Sequence, residues 1–351
     1  MSSSTGTFPS GSVLEKKEIH VMWRLGVFFA MLALATLPAP VVRGGAPAGV
    51  NATDLSMVDA DFAFQGEYAG GVKTPGGQEM RLGAQVIALG AGKFNAVIYA
   101  GGLPGDGWTR NDKSAALEGE KHGEAVVLKG DGVSGEIHAE KLTLQHADHP
   151  GRAVLETVQR KSPTLGAKPP EGAMVIFDGS GTQMFVEGRI NEARLLWAGA
   201  TTRPLPDSYK LHLEFLSPYM PDARGQGRAN SGVYLHDCYE VQVLDSFGLA
   251  GKDNECGGIY TVKAPDVNAC LPPLAWQTYD FEFTAPKFDT AGKKTLPARL
   301  TARHNGILIH DNIPLSHTPG RKGEGPGPRG IHLQAHGNKV QYRNIWLVET
   351  K

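Results

Sequence analysis

Two short stretches of this chain carry side chains that can do chemistry. In Tyr239-Glu240-Val241-Gln242-Val243, polar and apolar residues alternate. Side chains alternate across a β-strand, so Val241 and Val243 face a core while Glu240 and Gln242 share the opposite face. Residues two apart on a strand sit roughly 7 Å apart. A carboxylate and a carboxamide so placed on a rigid sheet can grip a sugar or handle a proton. The preceding Asn230-Ser231-Gly232-Val233-Tyr234-Leu235 reads as the adjoining strand. In Ile331-His332-Leu333-Gln334-Ala335-His336-Gly337, the residues His332, Gln334 and His336 share one face. Arg343 is expected to join them across a tight turn at Gly337-Asn338. Structural roles compete with these. Glu240 could pair with Arg343, Gln242 and Gln334 could bind backbone across strands, and His336 could cap the Gly337 turn. His332 is expected at the periphery, and Trp276 and Trp346 in the core. Tyr260, after two glycines, could reach either cleft or core.

The elements that position these groups follow from pattern and composition. A chain of 351 residues makes about two domains, and an apolar fraction of 41% allows a real core. A formal net charge of −1 argues against nucleic acid or an anionic membrane as a general partner. The glycines and prolines are scattered without period, as in a turn-rich β protein. Residues 1–48 read as an export signal, with Trp23-Arg24 before an apolar run from Leu25 to Leu37 and Ala46-Pro47-Ala48 fitting a cleavage site. That run is short for a bilayer span, so no membrane association beyond the signal is expected, and the mature chain is placed in the periplasm or outside the cell.

Residues 58–165 read as a small antiparallel β domain. Its first hairpin joins 85–89 to 94–99 around Gly90-Ala91-Gly92, and no helical period holds over a useful length. His146, Asp148 and His149 fall in a loop. Residues 161–173 form a Pro-rich linker. From residue 174 to 351 the chain is strand after strand, with Asn305-Gly306 marking a type I′ hairpin. Many short antiparallel strands over about 180 residues make a sandwich or jelly roll. Export permits a disulfide, and Cys256 with Cys270 closes a short loop, leaving Cys238 free. No CxxC spacing points to zinc. No other cofactor is expected, although Asp237, Asp245, Asp253 and Glu255 lie close enough in sequence to hold a calcium ion.

Residues 173–349 resemble the 3-keto-disaccharide hydrolase domain family. Seven segments carry the resemblance in order. They are Phe177-Asp178-Gly179, Asn230-Ser231-Gly232-Val233-Tyr234, Tyr239 to Ser246, Cys256-Gly257-Gly258-Ile259-Tyr260, Trp276-Gln277-Thr278-Tyr279, His304-Asn305-Gly306 with His310-Asp311-Asn312, and Ile331 to Gly337 with Tyr342 to Trp346. The resemblance implies an all-β, concanavalin-like jelly roll with a concave sugar-facing sheet, and a carbohydrate substrate. A 3-keto sugar has an acidified proton at C2, so a base can remove it and the glycosidic oxygen can leave from C1. On this reading Glu240 and His336 are the acid/base pair, in either order. Gln242, Gln334 and Arg343 hold O3 and the hydroxyls, with Asn230 and Tyr260 as further substrate contacts. Two other readings are a lectin-like carbohydrate-binding module and an ordinary two-carboxylate glycoside hydrolase. The latter wants a second carboxylate, and Asp245 has the wrong parity.

Overall fold

The alternation in the first half of the chain closes on itself. In the computed structural model, which describes residues 49–350 except Pro75, His149 and Pro150, eight antiparallel strands form a barrel. They are β1 (Gly66–Lys73), β2 (Glu79–Ala88), β3 (Lys93–Ala100), β4 (Ser114–His122), β5 (Ala125–Gly130), β6 (Val133–His138), β7 (Lys141–His146) and β8 (Arg152–Val158). Their order around the barrel is β1-β8-β7-β6-β5-β4-β3-β2. Phe94, Ala96, Leu117, Val126, Leu128 and Leu155 fill the interior. Closure leaves no strand edge exposed. The export signal read in residues 1–48 and His149 lie outside the described residues. Among the described residues, no helix is long and apolar enough to cross a membrane.

The second half is a two-sheet sandwich of jelly-roll type. Its main strands are β9 (Met174–Phe177), β10 (Phe185–Glu187), β11 (Ala200–Thr202), β12 (Tyr209–Leu216), β13 (Ser231–Leu235), β14 (Tyr239–Val243), β15 (Trp276–Thr284), β16 (Arg299–His304), β17 (Ile307–Pro314), β18 (His332–Leu333) and β19 (Gln341–Glu349). One sheet runs β9-β19-β12-β15-β16-β17, with Leu196–Trp197 also paired to β19; the other runs β10-β11-β18-β13-β14. Val233, Val241, Val243 and Leu333 from the smaller sheet meet Leu213, Phe215, Phe281 and Leu347 from the larger one, all at 1% exposure or less. Asn305 and Gly306 both have positive φ, 51° and 78°, so the β16–β17 hairpin turns as the Asn-Gly pair dictates.

The Pro-rich segment is not a free tether. Ser162 Oγ lies 2.6 Å from Thr278 Oγ1, Thr164 Oγ1 donates to Asp280 Oδ2 at 2.6 Å, and Gly166 N donates to Glu214 Oε1 at 2.6 Å. Its hydroxyls and backbone pin it across the outer face of the larger sheet. The barrel also docks directly on the sandwich. Arg110 donates to the carbonyls of Ala250, Gly251, Pro265 and Asp266, and Arg224 and Arg228 donate to those of Leu89 and Ala88.

Two sequence expectations are corrected here. Arg343 does not reach the face of Glu240. The chain passes from the smaller sheet to the larger one after residue 334, so β19 pairs with β12 instead of folding back on β18. Arg343 Nε donates to Glu214 Oε2 at 2.6 Å, and its guanidinium lies 3.9 Å from the Trp276 ring centre. Cys256 and Cys270 are free thiols, as is Cys238, and all three are buried. Cys256 Sγ lies 3.2 Å from Tyr279 Oη, while Cys270 Sγ is directed at the carbonyls of Leu244 and Leu271.

Candidate active site

The polar face of the smaller sheet is assembled by strand register. On β13 and β14, Gly232 pairs with Gln242 and Tyr234 pairs with Glu240. All four side-chain positions therefore share the face opposite Val233 and Val241. Gln334, just after β18, donates its backbone N–H to Gly232 O at 2.8 Å. Loops then cover this face. Thr318 Oγ1 accepts from Glu240 N at 2.8 Å and donates to Cys238 O at 3.0 Å, which seats Pro319 and Gly320 beside Tyr234. Between them these elements leave a cleft of about 160 Å³, lined by Gln226, Asn230, Tyr234, Glu240, Gln242, Tyr260, Pro319, Gly320, Gln334 and His336.

Glu240 is the one carboxylate in this lining and is 2% exposed. Burial raises its pKa to about 7, against a smaller opposing effect of the Tyr234 hydrogen bond. Tyr234 Oη lies 2.8 Å from Glu240 Oε2 and 3.2 Å from Pro319 O. The hydroxyl can therefore donate to the ionised carboxylate, or turn to Pro319 and accept from the protonated acid. Either charge state of Glu240 keeps a partner, which suits a group that must gain and lose a proton. Among the described residues no protein donor reaches the other oxygen, Oε1. It lies over the Gly232 backbone, so close that a Cβ at that position would sit 2.1 Å away.

Of the amides around Glu240, Gln242 is held at both ends, its Oε1 accepting from Val243 N at 3.1 Å, whereas Asn230 and Gln334 are held at one end and open at the other. Gln242 Nε2 donates to Gln226 Oε1 at 3.0 Å, and Gln226 Nε2 donates to Asn254 O at 2.7 Å. Asn230 Nδ2 donates to Gln226 O at 2.9 Å, and Gln334 Nε2 donates to Tyr234 Oη at 3.3 Å. Asn230 Oδ1 and Gln334 Oε1 are buried without a donor. Buried acceptors are ordinarily paired, so these two oxygens suit ligand hydroxyls. His336 is exposed at the cleft, and Tyr260 is half-buried, with its backbone N–H on Glu240 O at 3.2 Å.

Six of the seven site residues read from the sequence line this one cleft; Arg343 does not. His332 lies beside it, its ring centre 5.8 Å from that of Tyr234 and its Nδ1 2.8 Å from Thr201 Oγ1. Burial brings its pKa down to about 4 and keeps it neutral. Tyr234 and Gln226 complete the cleft without having been singled out in the sequence. Tyr234 has the parity of Gly232, which could have revealed it, whereas Gln226 comes from a loop with no periodic signal. The carboxylates considered for calcium do not converge. Asp237 pairs with Arg321 and Lys322, Asp245 pairs with Arg228, and Glu255 accepts from the backbone of Gly251 and Lys252.

The family of 3-keto-alpha-glucoside-1,2-lyase-like domains matches residues 171–348. The chain belongs to this family. The matched region contains the whole sandwich cleft and excludes the barrel. Two crystal structures from Parabacteroides distasonis ATCC 8503, each described as a "putative glycosyl hydrolase", are similar to this chain. One is 26% identical with a TM-score of 0.46, covering 52% of this chain and 85% of its own. The other is 15% identical with a TM-score of 0.38, covering 52% and 95%. No curated protein matches the chain. Family membership supports a carbohydrate-active role.

Proposed function

We propose that this protein cleaves 3-keto-glycosides by base-catalysed elimination across C1 and C2, with or without later addition of water, and that it acts after export to the periplasm or the cell exterior. The observation that carries the reading is Glu240. It is a single buried carboxyl with a pKa near 7 and a free oxygen in the cleft, and it is surrounded by carboxamides rather than by a second acid. Two-carboxylate glycoside hydrolysis needs a partner carboxyl across the scissile bond. Asp245, the nearest in sequence, is buried against Arg228 with its Oδ2 2.6 Å from Nε.

In the proposed reaction Glu240 Oε1 removes the proton from C2, which the neighbouring C3 carbonyl acidifies. The electron pair moves to O3 as an enolate. It then returns to form the C1–C2 double bond as the C1–O bond breaks, and His336 protonates the departing oxygen. Addition of water at C1 completes a net hydrolysis. With Arg343 on the other sheet, O3 is left to neutral donors, namely the amide N–H groups of Gln334 and Gln242 and the Tyr260 hydroxyl. The unpaired oxygens of Asn230 and Gln334 accept sugar hydroxyls.

A substrate deuterated at C2 tests this path in ordinary water. Elimination predicts that the label is lost from the cleaved sugar. Full retention of deuterium would rule out C2 deprotonation and favour direct displacement at C1.

A further inference from the structure

Away from the sandwich cleft, the barrel meets the sandwich along its own junction. A cavity of about 500 Å³ lies there, between barrel residues such as Ile87, Leu89 and Val97 and the sandwich residues Arg228 and Leu249. Its size is that of a small-molecule site, typically about 300–1,000 Å³. Arg228 is 5% exposed, with Nε on Asp245 and Nη1 on Ala88 O, but its Nη2 is buried without a partner. A desolvated guanidinium N–H with no acceptor is costly, and a ligand oxygen in the cavity would satisfy it.

The cavity does not stop at the junction. A second depression of about 440 Å³ continues over the outside of the barrel and shares Leu89, Asn95, Glu118 and Lys129 with the first. The last three of these are register partners on adjacent strands: Asn95 on β3 faces Glu118 on β4, which faces Lys129 on β5. They form a polar row across three strands, with neighbours about 5 Å apart. Among the described residues, none of the three side chains makes a hydrogen bond or ion pair. The floor beside the row is apolar, and the charges nearly cancel. Glu118, Glu120 and Asp245 stand against Lys93, Lys129, Arg224 and Arg228.

We propose that this groove is a second binding site, and that its ligand is a neutral oligosaccharide chain. An elongated groove fits a chain better than a single ring. Apolar walls fit the C–H faces of pyranose rings. A row that alternates carboxamide, carboxylate and ammonium offers both acceptors and donors to hydroxyls. The near-balance of charge gives a polyanion no advantage. The site does not rest on the reaction assigned to the sandwich cleft. It would hold a polymeric glycan while the cleft works on a sugar unit.

The test uses the intact protein and three neutral probes, maltohexaose, cellohexaose and mannohexaose, titrated by calorimetry beside dextran sulfate. Asn95, Glu118 and Lys129 are exposed, so the triple alanine variant should keep the wild-type melting temperature. The expected result is binding of at least one neutral hexasaccharide, weakened tenfold or more in the triple variant and unchanged within twofold by Glu240→Gln. Absence of binding by all three, preference for dextran sulfate, or binding that survives the triple substitution would overturn the proposal. So would binding lost on Glu240→Gln, which would place the sugar in the catalytic cleft instead. Because the readout is binding and not turnover, failure here leaves the reading of Glu240 standing, and the converse also holds.

Discussion

In the proposed reaction a single proton, the one held by Glu240, sets the rate. Burial raises its pKa to about 7, and the Tyr234 hydroxyl partly offsets this by stabilising the ionised form. A base must be deprotonated to act, so kcat/KM should rise with pH through a midpoint near 7 and fall about tenfold per unit below it. Tyr234→Phe removes the donor that favours the carboxylate, so the midpoint should move to higher pH; a pH–rate profile of the variant checks the sign. Gly232 is the second lever. Its missing side chain makes room for Glu240 Oε1, and a methyl there would displace the carboxylate from a diagonal cross-strand position. Gly232→Ala should lower kcat by about 100-fold, the scale on which misplaced catalytic groups fail. Steady-state kinetics with a melting curve would separate that loss from unfolding.

At the scale of elements, strand alternation made much of the cleft legible. Glu240 and Gln242 follow from parity alone. Gln334 follows from the same rule on the strand two positions away in the sheet. What parity cannot show is which sheet a strand joins. Arg343 has the right spacing after Gly337, but a crossover carries it to the larger sheet, and only the long-range pairing of β19 with β12 reveals that. Loop contributions such as Gln226, Pro319 and Gly320 are equally silent, because loops have no period. The Pro-rich segment reads in sequence as a tether, yet the side chains that anchor it belong to strands remote from it. Glu214 is the centre of that anchor. Burial raises its pKa, but hydrogen bonds from His212, Asn344, Arg343 and the Gly166 N–H outweigh burial and bring it down to about 2. A depressed carboxyl stabilises the fold fully above its ordinary value of 4.5 and loses that contribution as pH falls toward 2. Glu214→Gln should therefore cost on the order of 2 kcal/mol at pH 7 and flatten the fall in Tm between pH 5 and 2. Thermal melts across that range would show it.

At the scale of the whole molecule, barrel and sandwich fall within one compact unit, and specific contacts lock them together. One guanidinium, Arg110, serves four sandwich carbonyls. Its removal should leave both cores intact while loosening their junction. Arg110→Ala is expected to lower Tm by a few degrees and to speed proteolysis near residues 246–268, which limited digestion would detect. A fixed junction also gives the barrel groove a constant position relative to the cleft, which the proposed holding of a glycan in the groove would require.

On the proposed mechanism the cleft acts only where a C3 carbonyl has made the C2 proton acidic. The most direct measurement is to incubate the purified protein with 3-keto-trehalose and with trehalose, and to follow release of the sugar units beside a Glu240→Gln control. Elimination assisted by Glu240 predicts cleavage of the keto sugar alone, abolished in the variant. Cleavage of trehalose, or undiminished cleavage of 3-keto-trehalose by Glu240→Gln, would contradict it.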